Sequence, residues 1–205
     1  MRILIVENLR GTSLGQVEVA LAEAGAEQVW LQPWNGEVLP SVSDGFHGMV
    51  VLGGEQSAID DELYPYLPAL ARLMKRFGDD DKAVLGICLG SQLLARAHGG
   101  TNILGRAREF GWHRIALTET GRADPVFAAI DGDFPIFQWH SDTFTLPDGA
   151  DHLAHNAAVT NQCFRVGRAS YGMQFHFEAS RPVVEAWNRD FEATIEEMMP
   201  GWLAD

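Results

Sequence analysis

The sequence is poor in three things, and each shortage removes a class of function. It has two cysteines, Cys88 and Cys163, in 205 residues. Two thiols so far apart do not build a disulfide framework, so a reducing, cytoplasmic setting is the expectation. Basic side chains are outnumbered, 15 Lys and Arg against 28 Asp and Glu, for a formal net charge of -13. Nucleic acids and anionic membranes are held through basic surface, so neither is an expected partner. Long apolar runs are also missing. None approaches the roughly 20 residues that span a bilayer. The N-terminal run Ile3–Val6 is too short for a signal peptide and turns acidic at Glu7. There is no Gly-x-x-x-x-Gly-Lys-Ser/Thr or Gly-x-Gly-x-x-Gly loop for phosphates or a dinucleotide. No His/Cys/Asp cluster has ligand spacing, so neither metal nor cofactor is expected.

What remains is a chain with 46% hydrophobic residues, enough for the core of one domain spanning residues 1–205. Ile3–Val6, Gln28–Leu31, Met49–Leu52 and Ala83–Ile87 read as strands. Helical spacing over Leu14–Ala24, Leu63–Phe77 and Ser91–His98 alternates with them. That alternation predicts an α/β fold: an open, mostly parallel sheet with helices on both faces, a flavodoxin-like three-layer sandwich. After Gly105 come short strand-like runs: Trp112–Thr118, Ile136–Trp139, His152–His155, Cys163–Val166 and Tyr171–Phe175. They predict a small antiparallel extension and a last core strand. Ser180–Met198 reads as a closing helix, with Ser180 as N-cap and Pro182 in the first turn.

Glu7, Gly53-Gly54 and Cys88 all fall at C-terminal strand ends, the edge where open α/β sheets carry their sites. Gly86-Ile-Cys-Leu-Gly-Ser-Gln92 places Cys88 between two glycines where a strand turns into a helix. A packed core thiol needs no such setting. A nucleophile does: the sharp turn projects it above the sheet, and the helix N-terminus favours a thiolate. The N–H of Leu89 is then placed for a developing oxyanion. In Tyr171-Gly-Met-Gln-Phe-His-Phe-Glu178, strand alternation puts His176 and Glu178 on one side, the arrangement of an imidazole oriented by a carboxylate. Gly53-Gly54 ends a strand where backbone can approach a ligand. Cys163 reads as a packed structural thiol, and the six tryptophans as core and rim.

Taken together, Gly53-Gly54, Gly86-x-Cys88-x-Gly90-x-Gln92 and His176-x-Glu178 resemble the class I glutamine amidotransferases, most closely the glutaminase domain of the GMP-synthase type and its stand-alone relatives. The resemblance spans most of the chain, with further matches at Gly111-Trp112, Phe137–Phe144 and Asn161–Phe164. It implies that Cys88 attacks the glutamine carboxamide and that the N–H groups of Gly54 and Leu89 hold the oxyanion. It gives His176 the proton transfers and Glu178 the orientation of His176. Gly53, Gln92, His140, Ser141 and Asp142 correspond to the substrate-binding positions. The products would be glutamate and ammonia through a γ-glutamyl thioester, with ammonia passed to a separate synthetase or released. Two positions depart from the family, Glu55 and Phe177, where prolines usually stand. They keep open a γ-glutamyl peptidase or hydrolase acting on other γ-glutamyl amides. A non-catalytic amidotransferase-like binding or regulatory subunit is the third reading.

Overall fold

The computed structural model describes residues 1–204. Its strands are β1 (Arg2–Val6), β2 (Glu27–Leu31), β3 (Gly48–Val51), β4 (Ala83–Ile87), β5 (Asn102–Ile103), β6 (Glu109–Leu117), β7 (Phe134–His140), β8 (Thr143–Phe144), β9 (Asp151–His155), β10 (Cys163–Val166) and β11 (Ser170–Met173). Its helices are α1 (Gln16–Glu23), α2 (Leu67–Asp79), α3 (Leu89–Ala97), α4 (Glu119–Ala123), α5 (Arg181–Asp190) and α6 (Glu192–Met198). Nine strands form one mixed sheet in the order β2-β1-β3-β4-β11-β10-β9-β6-β7. The first five are parallel. From β11 onward the neighbours are antiparallel. A separate two-stranded ribbon pairs β5 with β8.

The apolar strand runs follow from burial on both faces. Leu4, Val6, Met49 and Val51 pack with Leu67, Leu70 and Leu93 of α2 and α3. The alternate residues Ile3, Ile5 and Val50 pack with Leu14 and Val17 on the other side. The α/β sandwich expected from the sequence is therefore present, with antiparallel strands that extend the main sheet and form the separate β5–β8 ribbon.

Several boundaries differ from the sequence expectation. The second helix begins at Leu67, not Leu63, because Pro65 disfavours helical backbone at Tyr64, whereas Pro68 is tolerated in the first turn. The third begins at Leu89, directly after Cys88. The closing helix is two helices: Phe191 leaves helical backbone at φ -127° and packs its ring on Trp139, at 5.4 Å between centroids. Tertiary packing overrides periodicity there. Ser180 holds the N-cap position with extended backbone, but its side chain makes no capping hydrogen bond. The last core strand stops at Met173, short of Phe175.

Candidate active site

The elbow around Cys88 is built by backbone contact. Cys88 has φ 52°, a left-handed conformation that side chains with a Cβ seldom adopt. It is held on both sides: its N–H donates to Met173 O at 2.8 Å, and its carbonyl accepts from Ser91 N at 2.9 Å. The flanking glycines serve a different purpose from the turn itself. A Cβ on Gly86 would stand 2.4 Å from Gly90 O, and one on Gly90 would stand 2.2 Å from Val51 O. Only glycine lets α3 pack its first turn so close to β3 and β4. Leu89 is the first residue of α3, so its N–H belongs to the set without an intrahelical acceptor.

His176 reaches this elbow from β11. Its N–H donates to Phe137 O at 2.8 Å, a bridge that fixes the residue although the strand has ended. Glu178 Oε1 lies 2.6 Å from His176 Nδ1. Both side chains are buried, and Glu178 Oε2 has no partner among the described residues. The other edge of the imidazole faces the sulfur. Cys88 Cβ and His176 Cε1 each lie 3.5 Å from where a Cβ on Gly53 would stand, so any side chain at residue 53 would crowd both. Burial favours the neutral imidazole, but the Glu178 carboxylate and the Cys88 sulfur outweigh it and hold the His176 pKa well above its usual value. Trp187 of α5 packs edge-on to the imidazole, with centroids 5.2 Å apart.

A cavity of about 300 Å³ opens above these groups, a size suited to a small ligand. Every residue singled out in the sequence lines it: Cys88, His176 and Glu178, with Gly53, Gly54, Leu89 and Gln92, and the run His140-Ser141-Asp142. Their individual contacts refine the expectations. Gln92 Nε2 donates to Gln174 Oε1 at 3.2 Å. His140 has both ring nitrogens engaged inside the protein, Nδ1 with Asp142 O at 3.0 Å and Nε2 with Glu109 Oε2 at 3.1 Å. Asp142 Oδ1 accepts from Gly105 N at 2.8 Å. Ser141 is exposed at the rim.

Glu109 was missed in the sequence. It is 2% exposed, yet carries a carboxylate. Gln162 Nε2 and Asn156 Nδ2 each donate to it at 2.7 Å, beside the His140 contact. Those hydrogen bonds and the adjacent imidazole overcome burial and lower its pKa. Gln162 also accepts from Gln138 Nε2 at 3.0 Å, so a buried polar network backs one wall of the cavity. Further lining residues had no sequence signal: Trp187 of α5, Thr194 and Met198 of α6, Phe191 between those helices, and Arg10 from the loop after β1.

The two departures have definite places. Glu55 is exposed on the cavity rim. Its loop is tied down at Gln56, whose Nε2 donates to Asn8 O at 2.6 Å, and at Ala58, whose carbonyl accepts from Arg96 Nη1 at 2.7 Å. Phe177 packs between two apolar clusters, against residues of β1, β4 and α1 on one side and β6 and β9 on the other. Cys163 is fully buried, and burial raises its thiol pKa well above the usual range. Trp202 and Leu203 pack on the Phe110–Phe137 cluster. Among the described residues no group of three or more His, Cys, Asp or Glu converges as a metal site, and no helix is long and apolar enough to cross a membrane.

The family model for glutamine amidotransferase class-I matches residues 16–185. The chain belongs to the class-I glutamine amidotransferase family. It is 32% identical over 188 residues to the glutamine amidotransferase-like protein YfeJ of Salmonella typhimurium, covering 90% of this chain and 79% of that one. Similarity to the glutamine-hydrolyzing GMP synthase of Christiangramia forsetii is 30% over 142 residues, 68% of this chain but only 26% of the synthase. Among solved structures, a glutamine amidotransferase from Thermotoga maritima superposes with a TM-score of 0.88 at 29% identity, over 96% of this chain and 84% of that chain. The amidotransferase fold and its similarity to GMP-synthase glutaminase domains thus stand as the sequence motifs implied.

Proposed function

We propose that residues 1–205 form one catalytic unit that hydrolyses the side-chain amide of glutamine through a Cys88-His176-Glu178 triad. The observation that carries this reading is the convergence of a strained elbow cysteine and a carboxylate-bound imidazole on Gly53, at the floor of a ligand-sized cavity. Cys88 sulfur attacks the carboxamide carbon, and His176 holds the thiol proton and gives it to the departing nitrogen. Glu178 fixes the imidazole with one nitrogen toward the sulfur. The amides of Gly54 and Leu89 receive the oxyanion. Gln92 and the 140–142 run border the glutamyl part, with His140 held in place by Glu109 rather than free to bind. Water then cleaves the γ-glutamyl thioester. Glutamate and ammonia are the products, the ammonia going to a separate synthetase partner or to solvent. Neither metal nor cofactor enters any step. The two cysteines, both free, suit a reducing cytoplasmic compartment.

The test is glutamate release from glutamine by the wild-type protein and by Cys88→Ser. Loss of release in the variant is expected. Equal rates would reject Cys88 as the nucleophile, and no release by either would reject glutamine as the substrate.

A further inference from the structure

The cavity does not end at the triad. A second groove of about 360 Å³ adjoins it, bounded by Arg10, Gly11, Trp187 and Phe191, which line both, and by Ser13 and Asp190 beyond. Arg10 is the one arginine or lysine lining either space among the described residues. Its side chain is exposed and has no ion-pair partner there.

The side on which this cation stands is fixed by backbone contacts. The loop carrying Arg10 is anchored to the triad carboxylate residue: Gln16 N donates to Glu178 O at 3.1 Å, and a Cβ on Gly15 would fall 2.0 Å from that oxygen. Trp187, the other wall of the groove, packs on His176. The groove therefore flanks the imidazole through Trp187, and Arg10 lines that same groove. Gln92 and residues 140–142 line the first cavity but not the groove.

This asymmetry has a chemical consequence that rests on the proposed amide hydrolysis. The departing nitrogen takes its proton from His176, so it must lie beside His176 when the C–N bond breaks. Whatever is bonded to that nitrogen extends toward Trp187 and Arg10. Ammonia from glutamine would use none of this space. We infer that the groove is a leaving-group subsite, and that Arg10 selects γ-glutamyl amides whose amine portion carries a carboxylate, that is, γ-glutamyl peptides. The reaction consumes one water. A bond forms from Cys88 sulfur to the carbonyl carbon of the γ-amide, the C–N bond breaks and the amino acid leaves with the proton on its nitrogen, and water then cleaves the thioester to release glutamate and the free enzyme.

Three substrates separate the possibilities: glutamine, γ-glutamylglycine and γ-glutamylethylamide, which has a leaving amine without a carboxylate. Each is assayed with the wild-type protein and with Arg10→Ala by glutamate release. The expected result is a wild-type preference for the peptide. Arg10→Ala should lose about tenfold or more in kcat/KM for the peptide, the scale of a charged hydrogen bond, with little change for the other two. An equal loss on all three would place Arg10 on the glutamyl α-carboxylate and overturn the inference. So would a wild-type preference for glutamine with no effect of the variant. Absence of turnover with every substrate would instead remove the underlying hydrolase reading, and the subsite with it.

Discussion

Replacing Glu178 by glutamine tests the triad where its electrostatics are concentrated. Oε1 stands 2.6 Å from His176 Nδ1, the second carboxylate oxygen has no partner among the described residues, and both side chains are buried. A charged hydrogen bond of this kind contributes about 1.5–3 kcal/mol. Lost from the transition state alone, that is about 10- to 150-fold in kcat. Where the new amide turns its NH₂ toward Nδ1, the imidazole is held in the wrong tautomer and the loss extends toward about 10⁴.

The pH behaviour gives an independent readout. Glu178 and the Cys88 sulfur raise the His176 pKa against burial, so removing the carboxylate lowers it. In the proposed reaction the protonated imidazole supplies the proton to the leaving nitrogen. The alkaline limb of the kcat profile should therefore move to lower pH in Glu178→Gln. Stability follows the same sign. A histidine whose folded pKa lies above its ordinary 6.5 stabilises the fold fully below that pH and loses the contribution as pH rises through the folded value. The wild type should thus exceed the variant in Tm most clearly near pH 6, with the gap narrowing in alkali. Glutamate release across pH and thermal melts at both ends measure these. An unmoved alkaline limb with kcat within about threefold of wild type would refute the role given to Glu178.

Two further substitutions test the scaffold. In Gly90→Ala, helix propensity favours alanine by about 1 kcal/mol, but the new Cβ meets the Val51 carbonyl at 2.2 Å and backbone cannot rotate away. Overpacking of about 1–3 kcal/mol should win, lowering Tm by several degrees in a melt; an unchanged or higher Tm would mean α3 does not pack so closely on β3. Glu109→Leu leaves the donors on His140, Gln162 and Asn156 without their acceptor, at about 1–3 kcal/mol for each buried group. Denaturant titration should show a loss of about 3 kcal/mol or more, with Glu109→Gln retaining part of it. A near-neutral Glu109→Leu would mean the carboxylate is not satisfied by this network.

The triad was legible because each member sits where a pattern changes. Cys88 ends an apolar strand and begins a helical spacing, and Gly53-Gly54 closes another strand on the same edge. His176 and Glu178 were found by strand alternation, although the strand stops at Met173. The Phe137 bridge prolongs the backbone constraint to residue 176, which keeps the two side chains on one side. The flanking glycines were assigned to the turn, whereas the positive φ belongs to Cys88 and the glycines make room between helix and sheet. Both explanations demand glycine, so the sequence could not separate them.

Glu109 and the glutamines behind the site were hidden for a different reason. Alternation along a strand reports which side a residue faces, not whether that side is covered. Gln138, Gln162 and Gln174 read as polar positions beside apolar neighbours, yet all three have 0% exposure. What buries them is tertiary: strands brought together from β6, β7, β10 and the end of β11. A buried glutamine gives and accepts without charge, so Gln162 can donate to the Glu109 carboxylate while accepting from Gln138. The wall beside Gln92 meets this network through backbone, Gln174 N donating to Gln162 O at 2.9 Å, which ties it to a carboxylate outside the reacting groups. Changes at Glu109 should therefore appear first in stability and in KM, before they appear in the chemical step at Cys88.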